Sequence, residues 1–199
     1  MKKTALFAAA AALLTATPAA ANGYLGAQYM TGESDVLLGN ADSDGWQGEG
    51  AFGFGSTGLG GQIDGSHGNI DLDGTGIDFD AWSLGGHMWW NFGSWRLGGV
   101  VVAANADGPG PFEFDETAYG VEGAWDLGPS VVLIGTMTTG DGEFAGVLDY
   151  ETFNLDIGAR LYATPQIRLG GFLGTGSADI DGVGEADSLS FGLNGEFQP

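Results

Sequence analysis

Residues 188–197 read Ser188-Leu189-Ser190-Phe191-Gly192-Leu193-Asn194-Gly195-Glu196-Phe197, and they alternate without a break. Leu189, Phe191, Leu193, Gly195 and Phe197 fall on one side; Ser190, Gly192, Asn194 and Glu196 fall on the other. A period of two means a strand with one oily and one hydrophilic face. A soluble sandwich buries such an oily face against a second sheet, whereas a membrane barrel turns it toward lipid. The rest of the chain has to choose between them.

The opposite end carries Lys2 and Lys3, a short apolar run over 5–16, and the small residues Ala19-Ala20-Ala21. This is the pattern of a secretory signal peptide over 1–21, with the mature chain starting near Asn22 and forming one domain over 22–199. The apolar run is too short for a membrane helix, and no other stretch approaches the ~20 apolar residues that such a helix needs. Beyond the leader all 26 acidic residues remain against three cations, Arg96, Arg160 and Arg168. That balance disfavours nucleic acid and anionic surfaces as partners. With 39 Gly, 6 Trp and 12 Phe the chain is also unlike a disordered acidic tail. Cysteine is absent, so an exported fold has to be held by something other than disulfides.

Glycine density is hostile to helix throughout, and ten runs read as strands: 24–30, 46–54, 58–66, 77–92, 94–105, 117–127, 130–139, 150–162, 166–175 and 186–197. Two kinds of connection alternate between them. Gly55-Ser56-Thr57, Gly93-Ser94, Gly128-Pro129 and Thr164-Pro165 are tight turns. The others are long and acidic, such as TGESDVLLGNADSDG and DGSHGNIDLDGTGID. If each strand pairs with the next, the tight turns and both termini share one end, and the long loops share the other. The expected fold is therefore an all-β, antiparallel up-and-down transmembrane β-barrel with short periplasmic turns and long acidic extracellular loops. It has about ten strands, or eight if the weak first and third runs fail to pair.

The two faces agree with that reading. One carries Trp82, Leu84, Met88, Trp90, Phe92, Trp95, Leu97, Val121, Trp125, Leu133, Met137, Leu155, Ile157, Leu161, Leu169 and Leu173, with no charge among them. The other carries the charges Glu49, Arg96, Glu122, Asp126, Asp156, Arg160, Arg168 and Glu196, which are expected to line the lumen, with His87 partway down. Slipping the register by one residue would push these charges into lipid. Arg96 should meet Asp126, and Arg168 should meet Glu196. Arg160 and Arg168 fall close together across the Thr164-Pro165 turn and need a carboxylate or water between them, with Asp156 or Glu196 able to supply the carboxylate. Small inward residues such as Gly60, Gly98, Gly158 and Gly192 are expected to open the lumen, and Trp89, Ile134, Tyr162 and Phe172 to refill part of it. Acidic residues are expected to dominate its upper part.

Ser190-Phe191-Gly192-Leu193-Asn194-Gly195-Glu196-Phe197 resembles the C-terminal signal that bacterial outer-membrane β-barrel proteins present to the barrel-assembly machinery, with Ser190, Gly192 and Phe197 at its defining positions. Gly195 stands where an aromatic is usual, and Gln198-Pro199 follow the terminal Phe. As an architecture the whole mature chain resembles the small porin-like and outer-membrane-protein-A-like barrels. The resemblance implies the cell outer membrane as location, with outer-membrane lipid and the assembly machinery as partners, and we expect a monomer. The functional expectation is a narrow porin-like channel for small neutral or cationic solutes. The alternative is a non-conducting structural or adhesive barrel that displays its loops.

Alternating aspartates next to glycine can converge hard oxygen ligands on calcium. The candidates are Asp71, Asp73 and Asp78 in one loop, and Asp179, Asp181 and Asp187 in another. Flanking helices and a complete twelve-residue loop are absent, and Asp and Gly are turn formers in any case. No other cofactor is implied. His67, close in sequence to Asp64, Ser66 and Asp71, is the one rim imidazole with a serine beside it, but adjacency in a Gly-rich loop does not build a triad. No enzymatic activity is expected.

Overall fold

The computed structural model describes residues 23–36, 39–55, 58–72, 77–110 and 113–198. Ten strands follow one another: β1 (Gly23–Val36), β2 (Gly39–Gly55), β3 (Leu59–Leu72), β4 (Ile77–Phe92), β5 (Trp95–Asp107), β6 (Glu113–Asp126), β7 (Val131–Phe144), β8 (Leu148–Tyr162), β9 (Ile167–Ile180) and β10 (Gly184–Phe197). Each pairs antiparallel with its neighbour in sequence, and β1 pairs with β10, so the sheet closes into a barrel. Closure leaves no strand edge exposed, which is what a sheet in lipid requires. The first and third runs do pair, and the strand number is ten.

The alternation sorts side chains as the sequence predicts. Leu97, Val121, Ile157, Leu169 and Leu193 point outward, with Ile157 64% exposed. Gln62, Asp64, His87, Arg96, Glu122, Asp156, Arg160, Arg168 and Glu196 are buried inside. Aromatics stand at both edges of the oily belt. Phe92, Trp95, Trp125 and Phe197 lie at the tight-turn end, where Trp95 and Trp125 stack with centroids 4.7 Å apart, and Trp46, Trp82, Tyr119 and Phe153 lie farther up. Phe52 and Phe54, expected in the lower girdle, have side chains outside the described residues.

The acidic stretches differ from expectation. Most of what reads as long loops is paired strand: Thr31 to Asp35 pair with Asp44 to Asn40, and Asp141 and Glu143 pair with Glu151 and Asp149. Above the belt the outward positions are carboxylates, including Asp80, Asp107, Asp115, Asp141, Glu151, Asp179 and Glu185. The wall therefore continues past the membrane as a charged collar. The links above it are short, as at 145–147, where Ala145 (φ 55°) and Gly146 (φ 66°) make a left-handed turn.

Candidate functional site: the barrel lumen

At the tight-turn end the lumen has a floor of ion pairs. Arg96, at the start of β5, places Nη2 2.5 Å from Asp126 Oδ1 at the end of β6. Glu196 on β10 takes Arg160 Nη2 of β8 on one oxygen at 2.5 Å, and faces Arg168 Nη1 of β9 with the other at 3.4 Å. Glu196 is thus the carboxylate that separates the two guanidiniums; Asp156 does not play that part. Arg168 also donates to the Gln198 side-chain oxygen and lies over the Tyr162 ring, 5.1 Å from its centroid. The expected pairs Arg96–Asp126 and Arg168–Glu196 are both present. All three arginines are at most 7% exposed. Glu49 sits on β2 in register with Gly26 and Ser66, and its side chain lies outside the described residues.

Above the floor, β3, β4 and β6 place Asp64, His87 and Glu122 together. His87 Nδ1 lies 2.8 Å from Glu122 Oε2. On the other side of the ring, Asp64 Oδ2 is 3.0 Å from Nε2, an ion contact rather than a straight hydrogen bond. Gln62 donates to the same Asp64 oxygen at 2.8 Å. An imidazole with a carboxylate oxygen at each nitrogen can face both favourably only when it carries both protons. The His87 and Asp64 side chains are 0% exposed, so this group is sealed from bulk water. Next along β3, Ser66 and Ser83 share a hydrogen bond of 2.5 Å.

The inward glycines Gly60 and Gly192 do not widen the passage; they lie beneath rings. A Cβ on Gly60 would stand 2.5 Å from the Trp89 indole nitrogen, and one on Gly192 would stand 2.7 Å from Phe172 Cζ. Each large side chain lies along the wall over a neighbour's bare backbone, so ring and glycine form one packing unit. Two cavities beside the floor, one lined by Trp89, Arg96 and Glu122 and one by Gln28, Arg160 and Phe172, measure about 10 Å³ each, room for a single water.

The upper lumen overturns the expectation of an acidic mouth. Phe79, Phe114, Tyr150 and Ile180 form a buried cluster there, with Phe144 and Leu148 packed against it. Sequence reasoning missed these residues, yet a signal was present. Phe79 lies between Asp78 and Asp80, Phe114 between Glu113 and Asp115, Tyr150 between Asp149 and Glu151, and Ile180 between Asp179 and Asp181. Period two persists, but its polarity inverts: above the belt the acids look out to water and the apolar residues look in.

Of the remaining metal candidates, the described ones lie in the collar and its links. Asp78 is exposed on β4 in register with Asp71, whose side chain, like all of Asp73, lies outside the described residues. Asp179 is exposed on β9 opposite Glu151 and Glu185, Asp187 is exposed on β10 opposite Ser177, and Asp181 lies in the exposed link 181–183. Among the described residues no three carboxylate or imidazole side chains converge as a metal-binding group. His67 faces outward with Nδ1 3.5 Å from Asp80, while Ser66 points into the lumen, so the two cannot act together. Ser190 and Gly192 face inward and Phe197 outward.

A closed antiparallel ten-strand wall with an oily exterior and charged interior matches known structures over nearly its whole length. An outer-membrane channel of Pseudomonas putida F1 superposes on 94% of this chain and 98% of its own, with a TM-score of 0.61 and 12% identity. The fold is that of a bacterial outer-membrane β-barrel. The translocator domain of the autotransporter NalP from Neisseria meningitidis covers 88% of each chain, with a TM-score of 0.52 and 9% identity. No protein-family model and no curated protein matches the sequence. The place of this fold is the cell outer membrane, and the belt from Trp95 to Tyr119 is the surface that meets lipid.

Proposed function

We propose that the barrel is a narrow porin-like passage for small neutral or cationic solutes, with the floor around Arg160, Glu196 and Arg168 as its constriction. One observation carries this reading: the lumen is lined with polar side chains from Arg96 through His87 to Thr152, all buried inside a wall whose exterior is oily. Burying charge carries a desolvation penalty that apolar filling would avoid, so a polar interior suits a barrel that holds water and ions. The acidic collar raises the local concentration of cations, calcium included, at the mouth. The terminal strand would serve the assembly machinery, and one chain suffices to close the wall.

A second reading is favoured by the Phe79, Phe114, Tyr150 and Ile180 cluster, which narrows the far mouth with apolar rings. In that reading the barrel does not conduct and instead displays its acidic collar. Planar-bilayer recording separates the two. The porin reading expects small, cation-preferring steps from the wild type and larger ones from an Arg160→Ser/Glu196→Ser double variant. Insulation by both proteins would overturn it in favour of the second reading.

A further inference from the structure

Asp156, on the inner face of β8, is 4% exposed and has no ion pair or hydrogen bond among the described residues. Every other described carboxylate on the inner wall is held. Asp126 pairs with Arg96, Glu196 takes Arg160 and Arg168, Asp64 and Glu122 flank His87, and Glu116 accepts a hydrogen bond of 2.7 Å from Thr152 Oγ1. The oxygens that Asp64 and Glu122 do not spend on the imidazole, Oδ1 and Oε1, are sealed from water. The Asp156 carboxylate instead leans over its register partner Gly174 of β9, where no side chain stands. An inward group of a closed wall has only the lumen to face, so what is left open on Asp156 opens there.

Along β8, Asp156 stands four residues before Arg160, roughly 13 Å at the rise of a strand and on the side of the floor toward the collar. The floor sets two guanidiniums against the one carboxylate of Glu196. That surplus of positive charge by itself turns cations back. Matched charges largely cancel at a distance, whereas an unmatched one acts along the passage, and more strongly between low-dielectric walls than in water. We propose that Asp156 is the residue that gives the passage its preference for cations. Its carboxylate meets the ion just before the floor, replaces part of the hydration that a narrow lumen strips away, and offsets the guanidinium surplus. The inference rests on the reading of the lumen as a passage.

The competing source of a cation preference is the collar, whose exposed carboxylates draw cations to the mouth. Salt separates the two, because at roughly 1 M screening over about 3 Å removes the reach of exposed charges and affects buried ones much less. Reversal potentials are therefore read in planar bilayers across a KCl gradient with both sides above roughly 1 M. The wild type should keep a cation preference there, and Asp156→Asn should lose it or cross to the anion side while still conducting. An Asp156→Asn protein that conducts with an unchanged reversal potential, as it would if the native acid held a proton, overturns the role of Asp156. A wild-type preference that vanishes in high salt does the same, and in both cases the passage itself stands. An insulating wild type overturns the passage and this inference together, so the two failures are told apart. Should Asp156→Asn fail to fold, the smaller Asp156→Ser takes its place with the same expected loss.

Discussion

Arg160 and Glu196 meet at 2.5 Å although a whole strand lies between them. They belong to β8 and β10, and the contact crosses β9 above Gly170, the register partner of both Arg160 and Asn194. The same carboxylate faces Arg168 from β9. One side chain therefore ties three consecutive strands at the end of the barrel where the chain closes on itself.

Removing that tie takes a shared carboxylate away from two buried guanidiniums. Breaking one side of a buried ion pair costs on the order of 3–5 kcal/mol. Glu196→Gln should accordingly lower the temperature at which the folded, fast-migrating band converts to the unfolded one on a gel. An unchanged conversion temperature would show that water can take the place of the carboxylate.

Two adjacent glycines of β5 should respond in opposite ways. A Cβ on Gly98 would stand 2.8 Å from the Trp89 Cβ and 3.0 Å from its Cα, neither of which can swing aside. A Cβ on Gly99, on the outer face, would meet only the Gly120 carbonyl oxygen at 3.6 Å. Overpacking of the first kind costs about 1–3 kcal/mol. Urea titration in detergent should show Gly98→Ala destabilised and Gly99→Ala near wild type; equal behaviour would mean that Trp89 does not press on Gly98.

Ile157 stands on the outer wall within the oily belt. A cation at such a depth costs roughly 2–4 kcal/mol. Ile157→Arg should fold poorly into vesicles compared with Asn154→Arg, three residues away and facing the lumen. Folding yields from urea into lipid give the comparison, and equal yields would contradict the assignment of faces.

In the collar, Glu151 faces Asp141 on one side and Asp179 on the other. Like charges directly opposed on a sheet repel, and relieving them is worth roughly 0.2–1 kcal/mol. Glu151→Gln should therefore raise the melting temperature at low salt, and the gain should fade as ionic strength rises. A drop in melting temperature would indicate that the collar carboxylates hold a favourable partner.

How far the sequence could be read depended on where contrast survived. Within the membrane, oily and polar residues alternate, so the lumen assignment of Arg96, Asp126, Arg168 and Glu196 follows directly from positions in the chain. Above it, both water and lumen accept small or polar residues, as at Gly140-Asp141-Gly142-Glu143, and Asp and Gly also favour turns. Strand and loop then look alike, which is why the collar reads as loops. The Phe79, Phe114, Tyr150 and Ile180 cluster was hidden for a related reason: each residue is isolated among acids, and only the inversion of phase marks it as inward. Glu196 as the shared partner was one of two alternatives, since a linear chain does not show which carboxylate reaches across a third strand.

The links at the tight-turn end, such as Gly93-Ser94 and 163–166, contain no charged residue, whereas the opposite rim is crowded with carboxylates on its outer wall. The ions at the first of these ends are paired in the floor inside the wall, whereas those of the rim face outward, so the first end crosses hydrocarbon at the lower cost. A barrel entering a preformed vesicle therefore goes in one way round, with its anionic crown left on the side from which it came.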